Sequence, residues 1–340
     1  MTTVVENVSL RKLNTFGIDV KASYYSEIQS PEAFQGLLSL PVYRHNRKLI
    51  LGSGSNVLFT KDFDGLVLAS AIKGIEIIQE NDDYVVLKAG SGENWHGVVM
   101  HCVNHLWGGI ENLSLIPGTC GAAPMQNIGA YGVEIKNVIE NVNGIDLDTG
   151  HERTFNNSEC QFSYRESVFK QALKEKYFIS SITLRLTKKN HHFNTQYGAI
   201  KDMLKQKNID VPTLRDISDA VISIRQSKLP DPSVIGNAGS FFKNPTLTQN
   251  AFAELKHAYP TIPSYPSDNQ NVKVAAGWLI EQCGWKGKKL GNVGVHPHQA
   301  LVLVNYGGGK GEEILELAKK IQASVSEKFS IALTTEVNIF

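Results

Sequence analysis

The run Gly236-Asn237-Ala238-Gly239-Ser240-Phe241-Phe242-Lys243-Asn244-Pro245 sets one serine between a glycine-rich turn and two adjacent phenylalanines. It fits neither a 3.6-residue nor a 2-residue apolar period, and so predicts a constrained loop presenting a hydroxyl. A serine hydroxyl is a very weak acid. It can protonate carbon efficiently only where cations or donors stabilise its alkoxide, or where a relay quickly replaces its proton. Arg165, within Phe162-Ser163-Tyr164-Arg165-Glu166-Ser167-Val168-Phe169, is a candidate for that support, with Lys243 a second. A guanidinium is always charged and presents a fork of donors, which suits a carboxylate whose charge grows during reaction. Glu336, four residues before the end, adds a carboxylate. Each also has an ordinary structural role open to it: Ser240 bonded to backbone, Arg165 paired with Glu166, Glu336 facing solvent from an alternating strand.

Two glycine-rich segments could hold a ligand. In Gly52-Ser53-Gly54-Ser55-Asn56, followed by Val57-Leu58, turn amides could converge on a diphosphate, though a strand followed by such residues also makes a plain turn. It is not a Walker loop, because no lysine follows the last glycine, and it lacks the third glycine of a Rossmann fingerprint. The second segment runs from Ile116-Pro117-Gly118 through Gly121-Ala122-Ala123 and Gln126-Asn127 to Gly129-Ala130-Tyr131-Gly132. So long an irregular stretch in a compact domain is usually functional.

Taken together, these segments resemble the UDP-N-acetylenolpyruvoylglucosamine reductase family, flavoenzymes of bacterial peptidoglycan synthesis, over nearly the whole chain. The resemblance implies an α+β protein: the FAD-binding fold of the vanillyl-alcohol oxidase/PCMH type, in two α+β subdomains, plus a C-terminal α/β substrate-binding domain. The expected limits are 1–72 with 330–340, 73–227, and 228–329. It implies FAD held by Gly52, Ser53, Gly54, Ser55, Asn56, Val57 and Leu58, and by Ile116, Pro117, Gly118, Gly121, Ala122, Gln126, Asn127, Gly129, Ala130, Tyr131 and Gly132. Some members carry hydroxyl residues where this chain has Ala122 and Ala123, so flavin contacts there would come from backbone.

The same resemblance implies NADPH as reductant and UDP-N-acetylglucosamine enolpyruvate as substrate, taken in turn in a ping-pong cycle. Hydride would pass from flavin N5 to C3 of the enolpyruvyl group and a proton from Ser240 to C2, with Arg165 and Glu336 stabilising the developing charge. Arg225, Lys228, Asn244, Tyr265, Lys273 and Gln299 would bind substrate. Tyr197, in Thr195-Gln196-Tyr197-Gly198, matches the mobile tyrosine loop of the longer, type I members and is expected to act as a lid. Two other functions stay in view, a flavin oxidase on the same fold and a non-catalytic sensor of a nucleotide sugar. The motifs around Ser240 and Lys228 lie outside the flavin-binding part and weigh against both.

Bulk properties set the bounds. A chain of 340 residues suggests two or three domains, and 42% hydrophobic with 20% charged residues is ordinary soluble usage. No apolar stretch approaches the ~20 residues of a membrane span, and residues 1–10 show no leader pattern, so a cytoplasmic protein without membrane partners is expected. A net charge of +1 argues against a nucleic-acid footprint. Cys102, Cys120, Cys160 and Cys283 show no CxxC spacing and are expected as reduced, buried thiols. His191-His192 and His296-Pro297-His298 lack a third ligand at suitable spacing, so no metal is expected. A monomer is expected.

The elements that must position these residues follow from periodicity and breakers. Helices are expected over 31–40, 93–106, from about 217 to the prolines at 230 and 232, and over 251–258, 274–282 and 312–329. Strands are expected over 48–51, 66–69, 84–89, 138–146, 178–186, 300–305 and 331–340. By the resemblance, the last returns to the N-terminal part.

Overall fold

The computed structural model describes residues 3–268 and 270–340, so Met1 and Thr2 of the stretch read for a leader lie outside the described residues. The chain divides into two compact units: Met1–Val8, Ala22–Ser53 and Asp64–Ser227 in one, Ser9–Lys21, Gly54–Phe63 and Lys228–Phe340 in the other.

The first unit holds two sheets. One has four strands in the order Val5–Ser9, Lys21–Ile28, Phe63–Ser70, Lys48–Leu51, the last pair parallel with Lys48 opposite Leu66. The other has five antiparallel strands in the order Glu152–Asn156, Ile139–Asp146, Tyr177–Thr187, Tyr84–Gly90, Ile75–Glu80. Its central strand is buried on both faces from Phe178 to Leu184, whereas the edge strand exposes Glu76, Gln79 and Glu80, charges and amides that discourage pairing with another chain.

The helix Trp95–Asn104 packs on this sheet through Trp95, Val98, Val99, Cys102 and Val103, which recur at helical spacing and are all buried. Asn94 caps it, its side chain accepting from the Gly97 N–H at 2.8 Å. A second cluster joins both sheets: Phe34 and Leu37 of the helix Pro31–Leu38 meet Ile28, Leu66 and Leu68 from one and Ile145 and Phe178 from the other. The expected helix 31–40 stops early because Pro41 holds Leu40 extended and opens a separate short helix, Pro41–His45. The helix expected from about 217 begins instead at Leu214. Thr213 and Asp216 exchange bonds there, the Asp216 carboxylate accepting from the Thr213 N–H at 2.9 Å and the Thr213 hydroxyl oxygen from the Asp216 N–H at 3.2 Å.

The second unit holds a four-stranded antiparallel sheet in the order Gly236–Ser240, Val302–Asn305, Val293–Val295, Lys289–Leu290. Against it lies the helix Gly311–Phe329, whose stripe Ile314, Leu317, Ala318, Ile321, Val325 and Phe329 is buried. Glu313 accepts from the Lys310 N–H at its start, and Ser330 in the left-handed region ends it. A three-stranded antiparallel sheet orders Thr246–Thr248, Asn271–Val274 and Ser264–Asp268.

Two expectations change here. The Ser240 run is a strand from Gly236 to Ser240, where a bulge absorbs its irregular pattern, and only beyond Ser240 is it irregular. The expected strand 331–340 is mostly irregular: Ile331 and Leu333 are buried and their neighbours exposed, as alternation predicts, but only Asn338–Ile339 forms a strand, parallel to Val57–Leu58. Cys102, Cys120 and Cys160 are buried, while Cys283 is only partly so. Among the described residues, no helix is long and apolar enough to cross a membrane.

Phe34 is fully buried where helix and both sheets meet. Replacing it with alanine is expected to lower stability by about 3–5 kcal/mol. Urea unfolding of Phe34→Ala against the parent checks this.

Candidate active site

In the second unit, the strand Gly236–Ser240 pairs Asn237 with Val304 and Ser240 with Val302, so three steps on one strand face two on the other. Gly239, at φ +69°, absorbs the extra residue. Asn237, 2% exposed, holds this bulge: its Oδ1 accepts from the Gly239 N–H at 3.0 Å, and its Nδ2 donates to the carbonyls of Ile235 at 2.8 Å and Pro230 at 3.1 Å. Beyond the serine, Phe241 and Phe242 are buried and pack edge to face at 5.2 Å.

The chain end lies alongside. The Phe241 carbonyl accepts from the Glu336 N–H at 2.8 Å, the Thr334 carbonyl accepts from the Lys243 N–H at 2.9 Å, and Phe242 bridges Thr335. Ser240 and Glu336 thus stand one residue apart across two hydrogen-bonded segments, Glu336 only partly exposed. Asn56 joins them, its Nδ2 donating to the Glu336 carbonyl at 3.3 Å and its own carbonyl accepting from the Asn338 N–H at 3.1 Å.

Of the expected substrate residues in this unit, Tyr265 and Lys273 face each other across a strand pair, with Tyr265 39% exposed. Asn244 spends its Oδ1 on the Ala276 N–H at 3.0 Å, starting the helix Ala276–Gln282. Gln299 folds onto its own turn, its Oε1 accepting from the Leu301 N–H at 3.3 Å. Lys228 is exposed at the end of the helix Leu214–Lys228.

In the first unit, Arg165 lies in a tight turn closed by Ser163 and Glu166, each N–H donating to the other's carbonyl. At φ +57° it occupies a region costly for a non-glycine residue, of order 1–3 kcal/mol, which persists only when surroundings enforce it. They do so here. Arg165 Nη2 donates to the Gly129 carbonyl at 2.8 Å, and the fully buried Asn127 donates to the Ser163 carbonyl at 3.0 Å. Asn127 also donates to Glu134 Oε2 at 3.0 Å and accepts from the Lys136 N–H at 3.2 Å. Its side chain is therefore committed to holding the loop. Glu166 meets Lys170 at 4.0 Å and accepts from Gln171 at 2.7 Å.

Arg225 stands near Arg165 and Tyr131. Burial pulls its pKa down, the Tyr131 hydroxyl pulls it up, and the charge of Arg165 lowers it further. Burial correspondingly raises the Tyr131 pKa, with Arg225 opposing. Arg225 Nε donates to the Leu115 carbonyl at 3.2 Å, and Leu115 donates its N–H to His96 Nδ1 at 3.0 Å. Burial, then the charge of Arg225, lowers the His96 pKa and keeps this acceptor nitrogen free of a proton. His96 was not marked in the sequence, having no motif around it. Tyr197 packs its exposed ring edge-on to Tyr131 at 5.3 Å.

The glycine segments suit a flavin nucleotide. Gly54, at φ +66°, gives its carbonyl to the Thr15 N–H at 3.1 Å, so the Ser55 N–H of the same trans peptide points the opposite way. Gly118 and Gly121 are buried, Pro117 and Ala122 exposed, and the strand Gly129–Ala130 pairs with Val133–Glu134 around Tyr131 and Gly132. Thr119 Oγ1 is buried without a hydrogen-bond partner among the described residues, and a Cβ on Gly52 would meet it at 2.7 Å. A bare backbone beside an unsatisfied hydroxyl is a cradle that a side chain would fill, so the residues present fit the cofactor. Among the described residues, no group of three or more histidine, cysteine, aspartate or glutamate side chains could hold a metal ion.

Known proteins are similar to this chain along its whole length. Residues 22–156 match the family model described as "FAD binding domain", and 231–340 match "UDP-N-acetylenolpyruvoylglucosamine reductase, C-terminal domain". The chain is 48% identical to the UDP-N-acetylenolpyruvoylglucosamine reductase of Flavobacterium johnsoniae over 99% of both chains. It is 51% identical to that of Amoebophilus asiaticus over 98% of both. The crystal structure of the reductase of Thermus caldophilus is similar in fold, with TM-score 0.68 at 20% identity over 100% of both chains. The fold is α+β, with an FAD-binding domain over residues 22–156.

Gly54 and Gly239 offer a controlled pair, since their φ values are nearly equal, but a Cβ at Gly239 meets nothing while one at Gly54 would overlap the Leu13 carbonyl oxygen. Gly239→Ala is expected to cost only the left-handed penalty, about 1–2 kcal/mol. Gly54→Ala should cost clearly more and reduce flavin retention. Denaturation and the flavin-to-protein absorbance ratio of each variant measure both effects.

Proposed function

Because this chain belongs to the UDP-N-acetylenolpyruvoylglucosamine reductase family, as an FAD-dependent oxidoreductase of peptidoglycan synthesis, we propose that NADPH reduces its flavin and that UDP-N-acetylglucosamine enolpyruvate then takes the electrons. The bound flavin supplies the hydride that reaches C3 of the enolpyruvyl group. The chain's own residues bind, orient and protonate.

Arg165 faces the substrate carboxylate, where a permanently charged fork stabilises the negative charge that grows as C3 is reduced. Glu336 helps polarise the same group, and Ser240 delivers its proton to C2, giving UDP-N-acetylmuramate. Tyr265, Lys273, Lys228, Asn244, Gln299 and Arg225 hold the nucleotide sugar, and Tyr197 covers it. Within this assignment, 1–72 with 330–340 and 73–227 hold the flavin, and 228–329 the sugar nucleotide. A nucleotide sugar that carries a diphosphate and a carboxylate does not cross membranes unaided, which fits a cytoplasmic enzyme, and the monomer is taken as its working form.

What supports this assignment most is the bond between the Phe241 carbonyl and the Glu336 N–H at 2.8 Å. It holds a hydroxyl donor and a carboxylate on adjacent segments despite their distance in sequence. Placed donors of this kind are worth about 2.7–4 kcal/mol each in the transition state. Ser240→Ala is therefore expected to keep its flavin and its reduction by NADPH while substrate reduction slows at least about a hundredfold. Anaerobic stopped-flow of each half-reaction reads the two rates, and equal losses in both would refute the role of the serine.

A further inference from the structure

Between Asn190 and Tyr197 the backbone forms neither helix nor strand, yet it is tied firmly to the second glycine segment. Asn112, fully buried, is the tie. Its Nδ2 donates to the Asn194 carbonyl at 2.8 Å and to the Tyr131 carbonyl at 3.3 Å. Asn194 answers from the other side, its Nδ2 donating to the Gly132 carbonyl at 3.0 Å. Tyr131 and Tyr197 then meet edge to face.

The orientation of the Asn112 amide is set by chemistry. Two carbonyl oxygens face its nitrogen, so exchanging the amide ends would put oxygen against oxygen. Its Oδ1 is left buried without a hydrogen-bond partner among the described residues. An apolar side chain of similar size would avoid that cost, but none could donate to two carbonyls at once.

We propose that Asn112 is a positioning residue that couples the cofactor loop to the Tyr197 segment, so that seating Tyr131 and Gly132 against the flavin and closing Tyr197 over the substrate are one event. This rests on the assignment of the loop to FAD and of Tyr197 to substrate made above. By linkage, whatever steadies one segment favours the other equally. Tyr131 lies at the junction, since it also bonds Arg225.

The test uses the flavin-loaded enzyme and three variants: Asn194→Ala, Asn112→Asp and Asn112→Leu. Asn194→Ala removes the answering bond at a partly exposed position and should fold normally. It is expected to keep its flavin content and its bleaching by saturating NADPH within about threefold, while KM for UDP-N-acetylglucosamine enolpyruvate rises about five- to tenfold. Proteolysis within 190–197 should accelerate by a similar factor. Asn112→Asp preserves volume but turns only acceptors toward the two carbonyls, so it should raise KM at least as much as Asn112→Leu. If Asn112 merely filled space, the aspartate variant would match the parent. Parent KM and parent proteolysis in both Asn194→Ala and Asn112→Asp would overturn the coupling. Should the parent itself fail to turn over this substrate, the functional assignment falls, and the proteolysis of Asn194→Ala still decides whether the tie exists.

Discussion

A single backbone contact, the Glu336 N–H donating to the Phe241 carbonyl, sets where the backbone bearing the Glu336 carboxylate goes. One such bond contributes only about 0.5–1.5 kcal/mol net. It holds because both segments of the contact are anchored elsewhere. Phe241 and Phe242 are buried on one side, and on the other Phe340 packs against Phe59 and Phe63 at 5.8 and 6.5 Å. The terminal strand Asn338–Ile339 runs parallel to Val57–Leu58, fixing the register two residues beyond Glu336. Remote burial thus fixes the two backbone segments that carry Ser240 and Glu336.

The first unit solves a similar problem by concentrating strain. Leu115, Asn127, Tyr131 and Arg165 all have positive φ without being glycine, and all belong to the second glycine segment or bond to it. Each such residue costs of order 1–3 kcal/mol, a large sum against the marginal stability of a domain. Asparagine carboxamides offset it locally. Asn127 ties the loop to the Arg165 turn, and Asn112 ties it to the segment before Tyr197. Such backbones can present carbonyls, amides and a guanidinium at angles no regular element allows.

Where burial follows a period, the sequence was legible. The helix Gly311–Phe329 shows its whole stripe, and Tyr84–Gly90 and Tyr177–Thr187 their apolar runs. The strand Lys21–Ile28 was not legible, because the positions it buries include Ala22 and Ser26, which carry no apolar signal. Val5–Ser9 buries almost nothing and so has no pattern to read. Gly198–Gln206 was missed because only Ile200 and Leu204 of its nine residues are buried. At the site, the glycine segments and the Ser240 run stood out by composition. The pairing of Tyr265 with Lys273 depends on hairpin register, and the placement of His96 beside Leu115 on tertiary packing, neither of which a local pattern encodes.

The charges around Arg225 explain why this loop is worth its strain. Two guanidinium groups near one another repel, and burying one of them adds a desolvation cost that Tyr131, a neutral hydroxyl, offsets only in part. His96 adds no charge, because the same burial keeps it neutral. Such an arrangement is least costly when an anion shares it, since an anion repays both the repulsion and the lost hydration. An anion is therefore the class of ligand that this pair of guanidinium groups favours. Under the role proposed for Arg165, a carboxylate gaining charge during reaction would be favoured more than the ground state, which is the condition for a binding group to accelerate a reaction.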